Sequence, residues 1–284
     1  MSDSVSGDPA LRAPWRVLNS RTGTMAQQLA RSEALLACMT SDQPPTVRWY
    51  VTRQQALVLG NGQKPTVVNM AACQAQGIEV VRRTSGGTAV LVDADALSME
   101  VALPPGHPLA TTDIVRGYAW IGHIWAAAFQ NLGIASARAL PVEELRALPP
   151  VEKDDPVRLA CYGTLSPWEV VSHHKKVVGL CQVRRRTGTL YQVGIYLRWQ
   201  PENLVTLLAI DAATRTALAA RLGELAIGVD ELAGRSVRAE EVRAAVEGEL
   251  MRQLDVSLRP GSWRTCERLA AQRIQLERFQ PVIE

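Results

Sequence analysis

The chain has 284 residues, 47% of them hydrophobic, and a formal net charge of +3. That length and apolar content suffice for a large buried core, and the near balance of charge argues against a dedicated nucleic-acid binder. No apolar run approaches the ~20 residues of a membrane span, and "MSDSVSGDPALRAPWR" lacks the basic start and apolar core of a signal peptide, so the sequence reads as a soluble cytoplasmic protein.

Residues 1–14 read as a loose tail. In "TMAQQLARSEALLACM" (24–39), Met25, Leu29, Ala30, Leu35, Leu36 and Met39 fall near helical spacing, with Gly23 just outside the start. "TVRWYVT" (46–52) and "QALVLGN" (55–61) are rich in β-formers and read as strands. "IEVVR" (78–82) and "AVLVD" (89–93) form two more, flanking the loop Arg82–Thr88, "RRTSGGT". "LSMEVALP" (97–104) is a further strand that stops at proline. Residues 111–134 read as one amphipathic helix, capped by Thr112 or Asp113 and closed at Gly133. Residues 141–157, rich in Pro, Glu and Asp, read as a surface loop. Strand patterns return at 167–171, 176–184 and 188–197. Beyond Pro201 the pattern turns helical, at about 211–223, 237–254 with Ser236 as a cap candidate, and 261–277.

Helix, strands, helix, strands, helices is not the βαβαβ alternation of a parallel sheet. The expected class is α+β: a mixed sheet packed by helices, with a helical C-terminal part. The expected organisation is a tail (1–14), a catalytic domain (15–235) and a C-terminal helical segment packed on it (236–284).

Generic motifs are missing. There is no GxxxxGK[ST], GxSxG or HExxH, and "GNGQKP" (60–65) has Pro65 where a dinucleotide fingerprint needs its third glycine. His173 and His174 are neighbours, which on a strand point to opposite faces, and they read as solvated loop residues. Cys38, Cys73, Cys161, Cys181 and Cys266 show no CxxC spacing and read as free thiols, not a zinc site. Lysine occurs only at Lys64, Lys153, Lys175 and Lys176, which draws attention to the adjacent pair.

Two segments read together carry more information. The first supplies Arg82, Arg83, Ser85, Gly86, Gly87, Ala89, Val90 and Asp93. The second, "KKVVGLCQVR" (175–184) with "YQVG" (191–194), supplies Lys176, Gly179, Arg184, Val193 and Gly194. This ordered set resembles the superfamily of lipoate-protein ligases, octanoyltransferases and biotin ligases. "RSEALLA" (31–37), "VRWY" (47–50) and "LVLGNGQ" (57–63) add weaker matches, so the resemblance spans roughly 15–250. "ACYGTLSPWEVVSHHKKVVG" (160–179) is most similar to LipM-type octanoyltransferases. The sequence departs from the superfamily pattern at Ser32, Val92, Leu180–Cys181 and Val193, each replacing residues more polar or smaller.

The resemblance implies the biotin/lipoate ligase catalytic-domain fold. It also implies transfer of an octanoyl or lipoyl group from acyl carrier protein to a lysine of a lipoyl domain, on a 2-oxoacid dehydrogenase complex or a glycine-cleavage carrier protein. Neither nucleic acid nor membrane is an expected partner. Cys161 falls on the nucleophile and Lys176 on the ammonium that would assist it; a thiol's pKa, about 8.5 when free, falls beside such a charge. Arg83, Ser85, Gly86, Gly87, Thr88, Ala89, Gly179, Val193 and Gly194 are the expected substrate-binding residues. Val90, Val92, Val178 and Leu180 would line an acyl tunnel. Cys181 reads as packing. A thioester donor is already activated, so no cofactor is required. The alternatives are an ATP- and Mg-dependent ligase working through an acyl-adenylate, and a non-catalytic member that binds a lipoyl domain or acyl carrier.

Overall fold

The computed structural model describes residues 14–18 and 22–279, so the expected tail lies almost wholly outside the described residues. The chain builds two sheets with helices around them. In chain order the elements are β1 (Trp15–Leu18), α1 (Met25–Ala37), β2 (Thr46–Tyr50), β3 (Ala56–Leu59), α2 (Met70–Ala75), β4 (Glu79–Arg82), β5 (Val90–Val92), β6 (Ala96–Leu103), α3 (Ala119–Asn131), β7 (Arg138–Ala139), α4 (Val142–Ala147), β8 (Val170–Ser172), β9 (Lys175–Arg185), β10 (Gly188–Tyr196), α5 (Pro201–Val205), α6 (Ala212–Leu225), α7 (Val229–Ala233), α8 (Ala239–Leu254), β11 (Leu258–Gly261) and α9 (Thr265–Arg278).

The large sheet has eight strands in the order β11-β1-β2-β6-β10-β9-β8-β7, and the small one three, β4-β3-β5. Both are mixed, with β1 parallel to β2 and β11, and β10 antiparallel to β6 and β9. One apolar core lies between the large sheet and helices α3 and α8, where Trp125, Phe129, Val242 and Val246 meet Val101 and Val177. A second joins α1 to the small sheet through Leu29, Val58 and Val92.

The local chemistry explains most boundaries. Thr24 caps α1, its hydroxyl accepting from Gln27 N while Gln27 Oε1 accepts from Thr24 N, a reciprocal capping box. The helix expected over 111–134 starts late. Asp113 turns the chain by accepting from Val115 N and Arg116 N. The carbonyls of Thr111 and Ile114 are taken by Arg184 and Gln182 of β9, so this backbone serves the sheet and α3 begins only at Ala119. Gly133, at φ +90°, does close the helix as expected. The expected loop 141–157 contains α4, whose first turn carries Glu143 and Glu144, a favourable place for acids. Helix α8 starts after Arg238, not Ser236, with Glu241 accepting from Arg238 N. The C-terminal part is helical apart from β11, which the sequence pattern did not mark and which pairs with β1.

Candidate active site

A cavity of about 540 Å³ opens between the small sheet and one face of the large one. Val58 of β3 and Val90 and Val92 of β5 form one wall, β9 and β10 the other, and Met25 and Leu29 of α1 contribute. Cys161 and Lys176 both line it, together with Arg83, Gly86, Gly87, Thr88, Gly179, Val193 and Gly194. Ser85 and Ala89 do not; they sit buried behind the wall.

Backbone pairing brings the cysteine to the glycine loop. Ala89 N donates to Leu159 O at 3.0 Å and Cys161 N to Ala89 O at 2.8 Å, so the segment before Cys161 adds itself to the edge beyond β5. A Cβ at Gly87 would lie 3.7 Å from Cys161 Sγ. Gly87 has φ +91°, a conformation that favours glycine. Its carbonyl presses on Gly60, where a Cβ would fall 1.8 Å from it. Arg83 ties the loop from inside: its guanidinium donates to the carbonyls of Gly86 and Thr88 at 2.9 Å. In this state Arg83 shapes the loop while also forming part of the cavity wall.

Lys176 reaches the cavity because of a bulge. The register of β8 against β9 slips between Val170 and Val171, pairing Val171 with Lys176 but Val170 with Val178. One residue of β9 is thus extra, and Val177 and Val178 both enter the core, leaving Lys176 and Gly179 on the cavity side. This corrects the tunnel expected for Val178: plain alternation would place it beside Lys176, whereas it is fully buried in the core and does not line the cavity. Val90, Val92 and Leu180 do line it.

The Lys176 ammonium is 2% exposed and has three acceptors: Glu169 Oε1 at 2.7 Å, Cys161 O at 3.0 Å and Thr164 O at 3.2 Å. Burial is the largest influence and works against the charge, but the facing Glu169 carboxylate, joined by Cys161 and Cys181, more than offsets it and holds Lys176 above its ordinary value. Burial in turn pushes the Glu169 carboxyl up, opposed by Lys176 and by hydrogen bonds from Ser166 N and Leu180 N. Tyr162 completes the floor. Its ring lies 5.1 Å under Lys176 Nζ, its hydroxyl donates to Gly194 O at 2.6 Å, and it stacks on Trp199.

Cys181 of β9 and Gln192 of β10 also line the cavity, and Cys181 Sγ lies 3.5 Å from Ser85 Oγ and 3.6 Å from Gln192 Oε1. Gln192 donates to Glu100, which also accepts from Arg48 and Ser32. Burial pushes the Cys181 thiol up. Sequence reasoning left Cys181 as packing and passed over Glu169; the signal for Glu169 was present in the Trp-Glu step of "SPWEVV", to which no role was assigned. His173 and His174 form the exposed two-residue turn between β8 and β9. Among the described residues no group of three or more His, Cys, Asp or Glu is placed to hold a metal, and no helix is long and apolar enough to cross a membrane.

The chain is 31% identical to the octanoyltransferase LipM of Kyrpidia tusciae over 92% of its own length and 94% of that protein's. It is 30% identical to that of Exiguobacterium sibiricum over 90% and 94%. A solved bipartite lipoate protein ligase from Thermoplasma acidophilum superposes with a TM-score of 0.74 at 20% identity, covering 93% of this chain and 92% of that one. A lipoate-protein ligase A bound with ATP gives 0.72 at 19%, covering 94% and 95%. At those identities the structures establish the shared fold. The family model described as the lipoyl protein ligase A/B catalytic domain matches residues 24–251, most of the length, and the chain belongs to that family.

Proposed function

We propose that this chain is a protein octanoyltransferase, moving an octanoyl group from a carrier thioester to a lysine of a lipoyl domain through a thioester on Cys161. The observation that carries the reading is that Cys161 and Lys176 line one cavity with the glycine loop, and that Lys176 binds the carbonyl of Cys161 itself. Relatives at 31% and 30% identity are octanoyltransferases, which favours transfer over the ATP-dependent ligase route.

The chemistry runs in two exchanges. The Cys161 thiolate attacks the acyl carbonyl carbon, the bond to the carrier sulfur breaks, and the carrier leaves as a thiol after taking a proton. The target amine then attacks the Cys161 thioester, the new C–N bond forms, the amine loses a proton and the cysteine is restored. Splitting the transfer this way replaces one difficult step by two easier ones. Because the incoming thioester is already activated, neither step requires a nucleotide. ATP and Mg would enter only on the ligase route.

Gly86, Gly87 and Thr88 present backbone at the wall beside the sulfur, where N–H groups suit a developing oxyanion. Val90, Val92, Val193 and Leu29 line the space for the alkyl chain. Burying six methylenes at ~0.8 kcal/mol each contributes roughly 5 kcal/mol before ordering costs. Gly179, Gly194 and Arg83 complete the binding wall, with Ser85 and Ala89 supporting it from behind. The partners that fit this reading are an acyl carrier protein as donor and lipoyl domains as acceptors.

Intact-mass measurement after incubation with octanoyl carrier protein tests it. The expected result is one octanoyl adduct, released by hydroxylamine and missing in Cys161→Ala. ATP-dependent modification of an apo lipoyl domain that survives Cys161→Ala would instead establish the ligase route. Lipoyl-domain binding with neither reaction would make the chain a non-catalytic member.

A further inference from the structure

Lys176 has one acceptor for each of its three protons, so its direction and its charge are both set by what surrounds it. Two acceptors are neutral carbonyls, of Cys161 and Thr164, belonging to the turn that carries the thiol. The third is a carboxylate. The other titratable groups facing the ammonium are Cys161, Cys181 and Tyr162. Glu169 is therefore the single carboxylate in contact with it among the described residues.

The fold holds Glu169 firmly. Trp168, the residue before it, has φ +68°, unfavourable for a bulky side chain. Gly122 of α3 accommodates that backbone: a Cβ there would sit 2.2 Å from Trp168 O. Trp168 N donates to Leu140 O at 2.7 Å and Leu140 N to Glu169 O at 2.9 Å. The carboxylate is fixed by Ser166 N and Leu180 N. At the far end of the hairpin, His173 and His174 have φ +46° and +67°, so both joints that present Glu169 and Lys176 to each other use backbone that glycine or asparagine would adopt more readily.

We propose that Glu169 is the positioning residue of this site: it keeps Lys176 an ammonium and aims it at the Cys161 turn, and so sets the reactivity of Cys161 through Lys176. The inference rests on the reading of Cys161 as the nucleophile. A buried lysine that loses its only carboxylate partner is driven toward the neutral amine, and the thiolate then loses its cationic neighbour.

The test is the rate of Cys161 alkylation by iodoacetamide across pH 6 to 10, in the full chain with the other cysteines followed by peptide mass, for wild type and Glu169→Gln. The sign discriminates. If Lys176 becomes neutral, the midpoint for Cys161 rises, by about one pH unit. If Glu169 is only a neighbouring negative charge, removing it leaves Lys176 charged and the midpoint falls. A fall, or no change, in a folded variant overturns the proposal. Octanoyl transfer should drop about tenfold at pH 8, with Glu169→Asp recovering part of both rate and midpoint. If Glu169→Gln does not fold, Glu169→Asp decides: a midpoint between wild type and that of Lys176→Met supports the proposal, and a wild-type midpoint sinks it. Alkylation needs no acyl donor, so a failure of octanoyl transfer itself would show separately, as a missing Cys161 adduct in wild type.

Discussion

Lys176 Nζ lies 3.0 Å from the carbonyl oxygen of Cys161, the residue whose sulfur faces the cavity. The lysine thus holds the backbone of the proposed nucleophile as well as placing a charge near it. Lys176→Met keeps length and removes both roles. It leaves the buried Glu169 carboxylate without its counter-charge, a change that costs about 3–5 kcal/mol in comparable buried pairs. Urea unfolding should register that loss, and the octanoyl adduct on Cys161 should form at least about a hundredfold more slowly. The ammonium of the adjacent Lys175 donates to Gly223 O, and Lys175→Met should cost about 1 kcal/mol with little effect on transfer. Equal effects of the two substitutions would refute this division of labour.

Gly60 and Gly62 provide a matched pair. A Cβ at Gly60 would lie 1.8 Å from Gly87 O, a backbone atom that cannot swing aside, while one at Gly62 meets nothing within 4 Å. Gly60→Ala must displace the glycine loop from Cys161. It is expected to lose at least about 2 kcal/mol of stability and most acyl transfer. Gly62→Ala should lie within about 0.5 kcal/mol of wild type and transfer normally. Thermal melts and the adduct assay on both variants check this.

Much of this site was legible as pattern. The loop Arg83–Thr88, Cys161 and the Lys176 hairpin could be found because each is a short run of chemically distinctive residues, and their meeting follows from the family fold. Contacts that depend on irregular backbone could not be found. Plain alternation put Val178 in the tunnel; the bulge at Val177 moves it to the core and leaves Lys176 on the cavity side. Glu169 meets Lys176 directly after Trp168, which adopts a left-handed conformation that no propensity predicts for tryptophan. Strands β1 and β11 escaped notice for another reason. They are four residues each and pair across nearly the whole chain, and β11, "LRPG", carries proline and glycine, which suits only an edge. Helix α3 was overextended because apolar spacing continues through Ile114 and Val115, and nothing in the pattern shows Arg184 and Gln182 claiming that backbone.

The alkyl slot makes a prediction about chain length. Leu29 of α1 lines the cavity and is 3% exposed. Leu29→Trp should fill the slot, so that Cys161 still accepts acetyl or butyryl from a small thioester but not octanoyl. Leu29→Ala should shift preference toward longer chains, each added buried methylene contributing about 0.8 kcal/mol, or roughly fourfold in affinity. Competition between thioesters of different length, read by intact mass, checks both directions. An unchanged chain-length profile in Leu29→Trp would remove Leu29 from the acyl wall.

Acid stability should depend on Glu249. This carboxylate on α8 accepts from Asn131 of α3 at 2.8 Å, from Arg252 at 2.6 Å and from Gln253 at 2.7 Å. The hydrogen bonds from Arg252, outweighing the burial that opposes them, hold it down to about 2. Its ordinary value is about 4.3. A carboxyl whose folded pKa is depressed binds its proton more readily in the unfolded chain, so its contribution is fully present above about pH 4.3. That contribution is lost as the pH falls toward 2. Glu249→Gln should therefore lower the melting temperature at pH 7 and change it little near pH 2, narrowing the gap between the two conditions. A variant whose deficit is the same at both pH values would show that Glu249 acts through packing between α3 and α8, with its charge contributing nothing.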